Sequence, residues 1–518
     1  MFGIPLSKPY RLFYAVLMLC SVVMDQPQPA LARWPQDGQP PPQGDGLPPS
    51  PIFQPAPPEP NLTPLPSPAP QPPPAQPSLV DKLLDILGNN KSLQEDITAP
   101  PANTPPRNPA RSNINPEMPV PPPPPPQETT NASANASAAP LIEISPNFVP
   151  IYSFDKGEDD EETPPVIPFF STSPINQVHK GVDTIVIMLH DQTREAARAF
   201  AYARSAQEEA TARHPEWSAD KSYIFVPQFL SSEDIAAHQK TWPDGGAALL
   251  RWAGNNWMLG GDSITGEQKG IWATKTGPKY NMSSYTVMDF VLLMLARPKL
   301  FPNLQKVVIA GTSGGADFVQ RYAVLGIAPS VLNDEGIEVR FVPAGARSFL
   351  YLDNHRLVEK RDDPLPVKIV EAKIETDAFA PTRPEACKMM NHYPFGLDEL
   401  PRYGRKNAVN ELRLNYSAKR IIYLAGAGAT LPIPETTPDA CALIAQGGNS
   451  RRRSEIFFAS LKRLYGDEVD RMQKLYLIQG LNEDGLGIWR SNCGSSALFG
   501  DGACNASDVG GKAMQIIR

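Results

Sequence analysis

The sequence predicts an α/β fold, a mostly parallel sheet with helices on both faces, preceded by a long disordered proline-rich leader. Of the 60 prolines in the 518 residues, well over half precede residue 170, and at that density neither helices nor sheets propagate. From about residue 175, short apolar runs alternate with amphipathic stretches, as in domains built on a parallel sheet. We therefore expect one globular domain over residues 175–518.

The predicted strands are short runs rich in β-branched residues, which is typical of parallel strands buried on both faces. They are Thr184–Leu189, Tyr223–Pro227, Lys306–Ala310, Val339–Val342, Arg420–Leu424 and Lys474–Ile478. Between these runs the sequence has helix-like stretches. These cover Arg194–Arg213, Met288–Leu295, Ala316–Leu325 and Arg452–Tyr465.

The first 32 residues have the pattern of a signal peptide. Lys8 and Arg11 form a positive segment, Leu12–Met24 is apolar, and Ala30 and Ala32 are the small residues that a signal peptidase reads. We expect cleavage after Ala32 and export to the periplasm or the medium. An uncleaved membrane anchor is the alternative, although the apolar stretch is short for a span of about 30 Å.

Residues 33–170 form the predicted leader. Their composition favours extended polyproline II and cannot bury enough apolar area to offset the entropy of ordering. Within them, residues 78–88 have leucines at helical spacing and predict a short helix, either transient or a docking helix for a partner or a membrane surface. The leader itself is expected to contact the envelope or a partner protein, or to act as a spacer.

Four cysteines follow the predicted signal peptide, and four cysteines permit three pairings. Cys493 and Cys504 are close in sequence and bracket a glycine-rich turn, so we favour a Cys493–Cys504 disulfide and a Cys387–Cys441 disulfide. A zinc site is disfavoured because there is no CxxC motif and no histidine at ligand spacing between the cysteines. Disulfides imply an oxidising compartment.

The charge balance excludes one class of partner. Lys plus Arg total 48 against 55 Asp plus Glu, a net charge of −7, so the chain lacks the basic character of a nucleic-acid binder. We predict no cofactor and no metal.

The most informative motif is G-x-S-x-G at residues 311–315. It follows a predicted buried strand and precedes a predicted helix, which is the context of a nucleophile elbow. Gly311 and Gly315 let the strand and the helix approach, and Ser313 is the predicted nucleophile. The backbone N–H of Gly314 is the predicted oxyanion donor.

Further segments make residues 182–499 resemble a bacterial and fungal branch of the α/β-hydrolases. They are His190-Asp191, Val226–Phe229, Trp257–Asp262, Ser283–Tyr285, Phe318–Ala323 and Ala445–Gly447, the last preceded by Cys441. The resemblance implies an α/β-hydrolase fold and a serine hydrolase, in a branch whose substrates are poorly defined. A small-molecule ester or an envelope ligand is the expected partner.

The same resemblance exposes three departures from the family pattern. An acid is implied soon after Arg420–Leu424, but Ala429 stands in a turn without a carboxylate. A histidine is implied after Lys474–Ile478, where Glu483 stands. Asp191 replaces the glycine after the loop histidine; its carboxylate either faces and opposes a developing oxyanion, or points away and caps the next helix with Thr193.

Two hypotheses for the function follow. In the first, the protein is an exported serine ester hydrolase in which Ser313 has a non-standard base. Glu483 with a pKa raised by burial is the main candidate, and an Asp353/His355 relay is a weaker one. In the second, the protein is an inactive hydrolase-like scaffold that binds an envelope ligand. Glu483 or a histidine within hydrogen-bond reach of the Ser313 hydroxyl favours the first hypothesis, and only apolar or amide groups there favour the second.

Overall fold

The computed structural model describes residues 142–151, 164–238, 248–264, 281–357, 374, 378–382, 387–405, 407–434, 437 and 439–504, with the backbone of 515–516. The predicted signal peptide, residues 1–32, and the predicted helix at 78–88 lie outside the described residues. The described residues belong to one of the two compact units of the chain, Ala75–Arg518.

The described part of the chain contains a nine-stranded sheet and two small two-stranded sheets. In chain order the strands are β1 (Phe148–Pro150), β2 (Val166–Ser171), β3 (Thr184–Leu189), β4 (Ser222–Pro227), β5 (Leu230–Ser231), β6 (Arg251–Trp252), β7 (Lys306–Thr312), β8 (Glu338–Ala344), β9 (His355–Leu357), β10 (Phe379–Pro381), β11 (Arg420–Gly426), β12 (Gln473–Ile478) and β13 (Gln515–Ile516).

The large sheet has the strand order β1-β2-β4-β3-β7-β8-β11-β12-β13. The six strands from β4 to β12 in this order are parallel. The strands at both edges are antiparallel to their neighbours. The carboxyl ends of the six parallel strands therefore lie along one edge of the sheet.

The helices in the described ranges pack on both faces of this sheet. They are α1 (Ala196–Arg213), α2 (Ser232–Ala237), α3 (Ser284–Leu295), α4 (Gly314–Leu325), α5 (Ala328–Asp334), α6 (Val409–Ser417), α7 (Ala440–Ile444), α8 (Ser450–Tyr465), α9 (Val469–Met472), α10 (Gly485–Arg490) and α11 (Asn492–Phe499). None of these helices is both long and apolar enough to cross a membrane.

The side chains of β3 show the layering directly. Ile185 and Ile187 belong to a core that also contains apolar residues of α3, α4 and α8. Val186 and Met188 belong to a second core with residues of α1, α10 and α11. Since side chains alternate along a strand, the two cores lie on opposite faces, as the sequence predicts.

All six predicted strands are confirmed, and four of the predicted helices match α1, α3, α4 and α8. The largest difference in a helix boundary is at the start of α3, which begins at Ser284 and not at Met288. Helix α1 begins at Ala196 and not at Arg194. Arg194 has φ 64°, which is incompatible with a right-handed helix.

The sheet also begins earlier than predicted. Strands β1 and β2 fall within residues 33–170, which the composition assigns to the leader. Ile167 and Phe169 of β2 are nevertheless buried in the first core. These strands escape prediction because they lie outside the run of alternating strands and helices, are separated by an acidic stretch and are flanked by prolines.

Two disulfides join the four cysteines in the predicted pairing. Cys387–Cys441 closes 54 residues with Cα atoms 5.9 Å apart, and Cys493–Cys504 closes 11 residues with Cα atoms 4.8 Å apart. The first links α7 to a segment that packs Phe395 against Ala442.

The backbone is closely packed where β7 turns into α4. A Cβ on Gly315 would lie 2.5 Å from the carbonyl oxygen of His190 and 2.7 Å from that of Leu189. A Cβ on Gly311 would lie 2.6 Å from the carbonyl carbon and oxygen of Gly315. Both glycines are therefore needed for the close approach of strand and helix.

We expect Gly315→Ala to lower the free energy of unfolding by about 2 to 3 kcal/mol, because rigid backbone cannot yield to the new methyl group. This cost exceeds the gain of up to about 1 kcal/mol that alanine brings to a helix. Gly448→Ala is the control, since nothing lies within 4 Å of its Cβ position. Urea unfolding measures both, and equal stability of the two variants would contradict the packing argument.

We also expect the two disulfides to differ in their contribution to stability. In the chain-entropy relation, closing 54 residues stabilises by about 4 kcal/mol and closing 11 residues by about 3 kcal/mol. The paired alanine variants Cys387→Ala/Cys441→Ala and Cys493→Ala/Cys504→Ala test this by urea unfolding without reductant. A larger loss for the shorter loop would refute the entropic explanation.

Candidate active site at the Ser313 elbow

Ser313 lies between the last residue of β7 and the first residue of α4, at the carboxyl edge of the sheet. Its backbone has φ 54° and ψ −112°, a strained conformation for a residue with a side chain. Two backbone hydrogen bonds hold it: Ser313 N donates to Ala344 O at 3.0 Å, and Asp317 N donates to Ser313 O at 3.0 Å. The neighbouring strand β8 and the first turn of α4 thus impose the elbow conformation.

The Ser313 hydroxyl donates a hydrogen bond to the side-chain oxygen Oε1 of Gln192 at 3.1 Å. The backbone N–H of Gly314 donates to the same oxygen at 3.3 Å. The predicted nucleophile and the predicted oxyanion donor therefore converge on one carbonyl oxygen.

Gln192 belongs to the loop that follows β3, and it was not predicted as a site residue. Its backbone nitrogen also lies close to the elbow, since a Cβ on Gly314 would be 2.9 Å from it. The sequence does carry a signal for this residue: it lies two positions after His190, in the loop from which a second oxyanion donor is expected.

His190 fixes the start of this loop. It is 1 % exposed, and its Nε2 accepts a hydrogen bond from Phe229 N at 2.9 Å. The proton must therefore be on Nδ1, which donates to Asp191 O at 2.9 Å. Burial lowers the pKa of His190 to about 4, so the ring is neutral near pH 7.

Asp191 points away from the elbow. Its Oδ1 accepts hydrogen bonds from the backbone N and the hydroxyl of Thr193, and its Oδ2 pairs with Arg198 at 2.7 Å. This is the second of the two arrangements considered for Asp191, the one in which it caps with Thr193. Its charge is compensated by Arg198 and is not directed at the elbow.

Glu483 is held by a different serine. Both of its carboxylate oxygens lie 2.8 Å from the hydroxyl of Ser450, at the start of α8. The side chain is exposed to solvent. The structure thus does not bring Glu483 into hydrogen-bond contact with Ser313, whose hydroxyl is bonded to Gln192.

The two loops in which an acid and a base were expected do meet each other. A Cβ on Gly426, at the end of β11, would overlap the carbonyl oxygen of Asn482, which follows β12. Gly428 N donates to Leu481 O at 2.8 Å. The loops therefore occupy adjacent positions, but at their contact they present glycine, leucine and asparagine.

The Asp353/His355 relay is not assembled at the elbow. His355 Nδ1 lies 3.6 Å from Asp353 Oδ2, and that oxygen also pairs with Arg463 of α8. His392 lies 3.1 Å from Glu399. The two histidines that follow Ser313 in the chain are thus placed against other acidic groups.

The indole of a tryptophan holds the residue that precedes Ser313. Trp489 of α10 is buried, and its Nε1 donates to the hydroxyl of Thr312 at 2.7 Å. A cavity of about 10 Å³ lies between Thr312 and the residues around His190, enough for about one water molecule.

A larger cavity of about 470 Å³ lies at the other edge of the sheet, against the amino ends of the strands. Lys306, Arg340 and Arg420 line it together with acidic residues, and Ser313 does not. In the part of the chain that the structure describes, no group of three or more His, Cys, Asp or Glu side chains could hold a metal ion.

No protein-family model and no curated protein sequence matches this chain. Among solved structures it is similar to LpqC, a poly(3-hydroxybutyrate) depolymerase from Bordetella parapertussis, with 16% identity and a TM-score of 0.41 over 71% of this chain and 93% of that one. It is similar to siderophore hydrolase EstB from Aspergillus nidulans, with 10% identity and a TM-score of 0.33 over 71% and 99%. It is also similar to an IroE-like serine hydrolase from Shewanella oneidensis, with 10% identity and a TM-score of 0.30 over 66% and 78%.

Three features together define the architecture. They are the strand order given above, the antiparallel pairing of β2, and the sharp turn from β7 into α4. An elbow at the carboxyl edge of a mostly parallel sheet is the defining feature of that architecture. The described chain has the α/β-hydrolase fold.

Proposed function

We propose that this protein is a serine hydrolase of the ester-cleaving type with low turnover, in which Ser313 is the nucleophile. One observation carries the proposal: the Ser313 hydroxyl and the Gly314 N–H share a single carbonyl oxygen as acceptor. Acyl transfer needs this convergence, because the nucleophile must lie beside the carbonyl whose oxygen the backbone donor stabilises.

In the proposed reaction, Ser313 Oγ attacks the ester carbonyl carbon. The carbonyl oxygen becomes an oxyanion stabilised by Gly314 N–H, and the backbone N–H of Gln192 is the nearest candidate for a second donor. Collapse of this intermediate expels the alcohol and leaves an acyl group on Ser313, which water then removes. The strained φ of 54° at Ser313 supports a catalytic role, since such strain is concentrated at functional sites.

The proton of Ser313 has no efficient acceptor in the resting site. The group bonded to it is the amide oxygen of Gln192, which cannot take a proton at neutral pH. Loss of the base in a serine hydrolase lowers turnover by about 10⁴- to 10⁶-fold, so we infer slow ester cleavage. Glu483 is the proposed base, and this role requires that its carboxylate leave Ser450.

A second candidate function is a binding protein without catalysis. The amide partner of Ser313 favours it, as do the uncharged residues at the contact between the loops after β11 and β12. Such a scaffold would hold an ester or an envelope ligand at the elbow without cleaving it.

We propose an exported location for either function. The two disulfides support folding in an oxidising compartment. Removal of residues 1–32 as a signal peptide is part of this proposal, as is the contact of the proline-rich leader with the envelope or a partner protein.

We expect a fluorophosphonate probe to label the full chain slowly and only at Ser313. In this reaction the Oγ–phosphorus bond forms, fluoride leaves, and the hydroxyl proton passes to a base or to solvent. Ser313→Ala abolishes the adduct, and Glu483→Gln slows it by about tenfold or more if the carboxylate accepts the proton. Intact-protein mass spectrometry measures the rate.

Glu468→Gln is the matched control for charge, because Glu468 is exposed and pairs with Arg471 in its own turn. The absence of a Ser313-dependent adduct after long exposure would favour the binding protein. An adduct that forms equally fast in Glu483→Gln would keep Ser313 as nucleophile and remove Glu483 from the mechanism.

A further inference from the structure

We propose that Gln192 is an internal ligand of the Ser313 site: its side-chain carbonyl oxygen occupies the position of the substrate carbonyl oxygen, and rotation of this side chain opens the site. The inference rests on the proposed function and adds a closed resting state to it. It follows from the two hydrogen bonds that Oε1 of Gln192 accepts, from Ser313 Oγ and from Gly314 N.

The chemistry of this oxygen matches that of the proposed substrate. An amide oxygen is an uncharged sp² acceptor, as is the carbonyl oxygen of an ester. The distances of 3.1 and 3.3 Å show that both donors already point at such an atom. A substrate carbonyl needs the Gly314 N–H for its oxygen and the Ser313 hydroxyl beside its carbon, so the Gln192 side chain and a substrate cannot occupy the position together.

The backbone of Gln192 is anchored independently of its side chain. Its carbonyl oxygen accepts a hydrogen bond from Arg194 Nη1 at 3.3 Å, and the same guanidinium binds the buried Asp234 and Asn255. His190 and the Asp191–Arg198 pair hold the residues before it. The opening motion is therefore a change of side-chain rotamer and needs no movement of the loop.

The hydroxyl of Ser313 is unavailable as a donor while Gln192 holds it. Two neutral hydrogen bonds at the low end of the usual net strength together correspond to about a tenfold excess of the closed over the open state. The apparent affinity for any ligand that needs the open site is then reduced by the same factor. This closed state lowers the reactivity of Ser313 in addition to the missing base.

The test compares Gln192→Ala and Gln192→Asn with the wild type, using the full chain. Alanine removes the acceptor, and asparagine keeps an amide in the loop but is shorter by one methylene group. We expect both variants to react with the fluorophosphonate probe about tenfold faster than the wild type. We expect phenylboronic acid, which binds a serine oxygen reversibly, to bind both about tenfold more tightly by calorimetry.

Gln305→Ala is the matched control, because this exposed glutamine precedes β7 at the opposite edge of the sheet. It should react at the wild-type rate. Melting temperatures equal to that of the wild type show that the Gln192 variants keep their fold, and Ser313→Ala identifies the adduct position.

An unchanged or slower reaction of Gln192→Ala would overturn the inference, the slower rate indicating that the glutamine amide assists the reaction. An asparagine variant that reacts as slowly as the wild type would also overturn the inference. The length of the side chain would then have no effect on the reactivity of Ser313. If neither the wild type nor Gln192→Ala forms an adduct at Ser313, the proposed function itself fails, and the inference fails with it.

Discussion

The contact between Gly315 and the carbonyl oxygens of Leu189 and His190 sets the distance between α4 and the end of β3. Every element of the Ser313 site depends on this distance. It places Gly314 against the loop that carries Gln192, and it gives the Ser313 hydroxyl an acceptor across that gap. A side chain at residue 315 would push the helix away from the strand, and the nucleophile and the oxyanion donor would no longer meet at one atom.

The neutral imidazole of His190 also helps to hold the loop after β3 in place beside the elbow. It receives the backbone N–H of Phe229 and donates to the carbonyl of Asp191, so it joins the ends of β3 and β4. A histidine near a nucleophile invites a catalytic interpretation, but this one uses both ring nitrogens for structure. The Asp191–Arg198 pair then turns the next carboxylate away from the elbow. The loop after β3 is thus shaped to present Gln192.

The sequence predicted the parts of the molecule in which local pattern and tertiary environment agree. Strand β3 is buried on both faces, and its uninterrupted apolar run is found at Thr184–Leu189, as predicted. The elbow was predictable because strand, glycines and helix follow each other directly. The antiparallel strands β1 and β2 were missed because an isolated apolar run near prolines does not differ in sequence from a linker. Strand β2 pairs with β4, which lies further along the chain, and β1 pairs with β2.

The role of Gln192 could not be predicted for a related reason. The Gln192 side chain extends from the loop after β3 to the hydroxyl of Ser313 at the start of α4. The spacing of residues in the sequence does not indicate such a contact. The pairing of Glu483 with Ser450 depends likewise on how α8 docks beside β12. The G-x-S-x-G motif predicted the position of the nucleophile in the fold, but not the side chains that contact it.

The buried state of His190 has a consequence for the way in which the site responds to pH. Because its pKa lies near 4, this ring keeps one tautomer between about pH 5 and 8, the range in which histidines usually change charge. The two hydrogen bonds by which His190 holds the start of the loop that carries Gln192 are therefore kept across this range. Any variation of Ser313 reactivity in that range must come from groups other than the histidine beside the site.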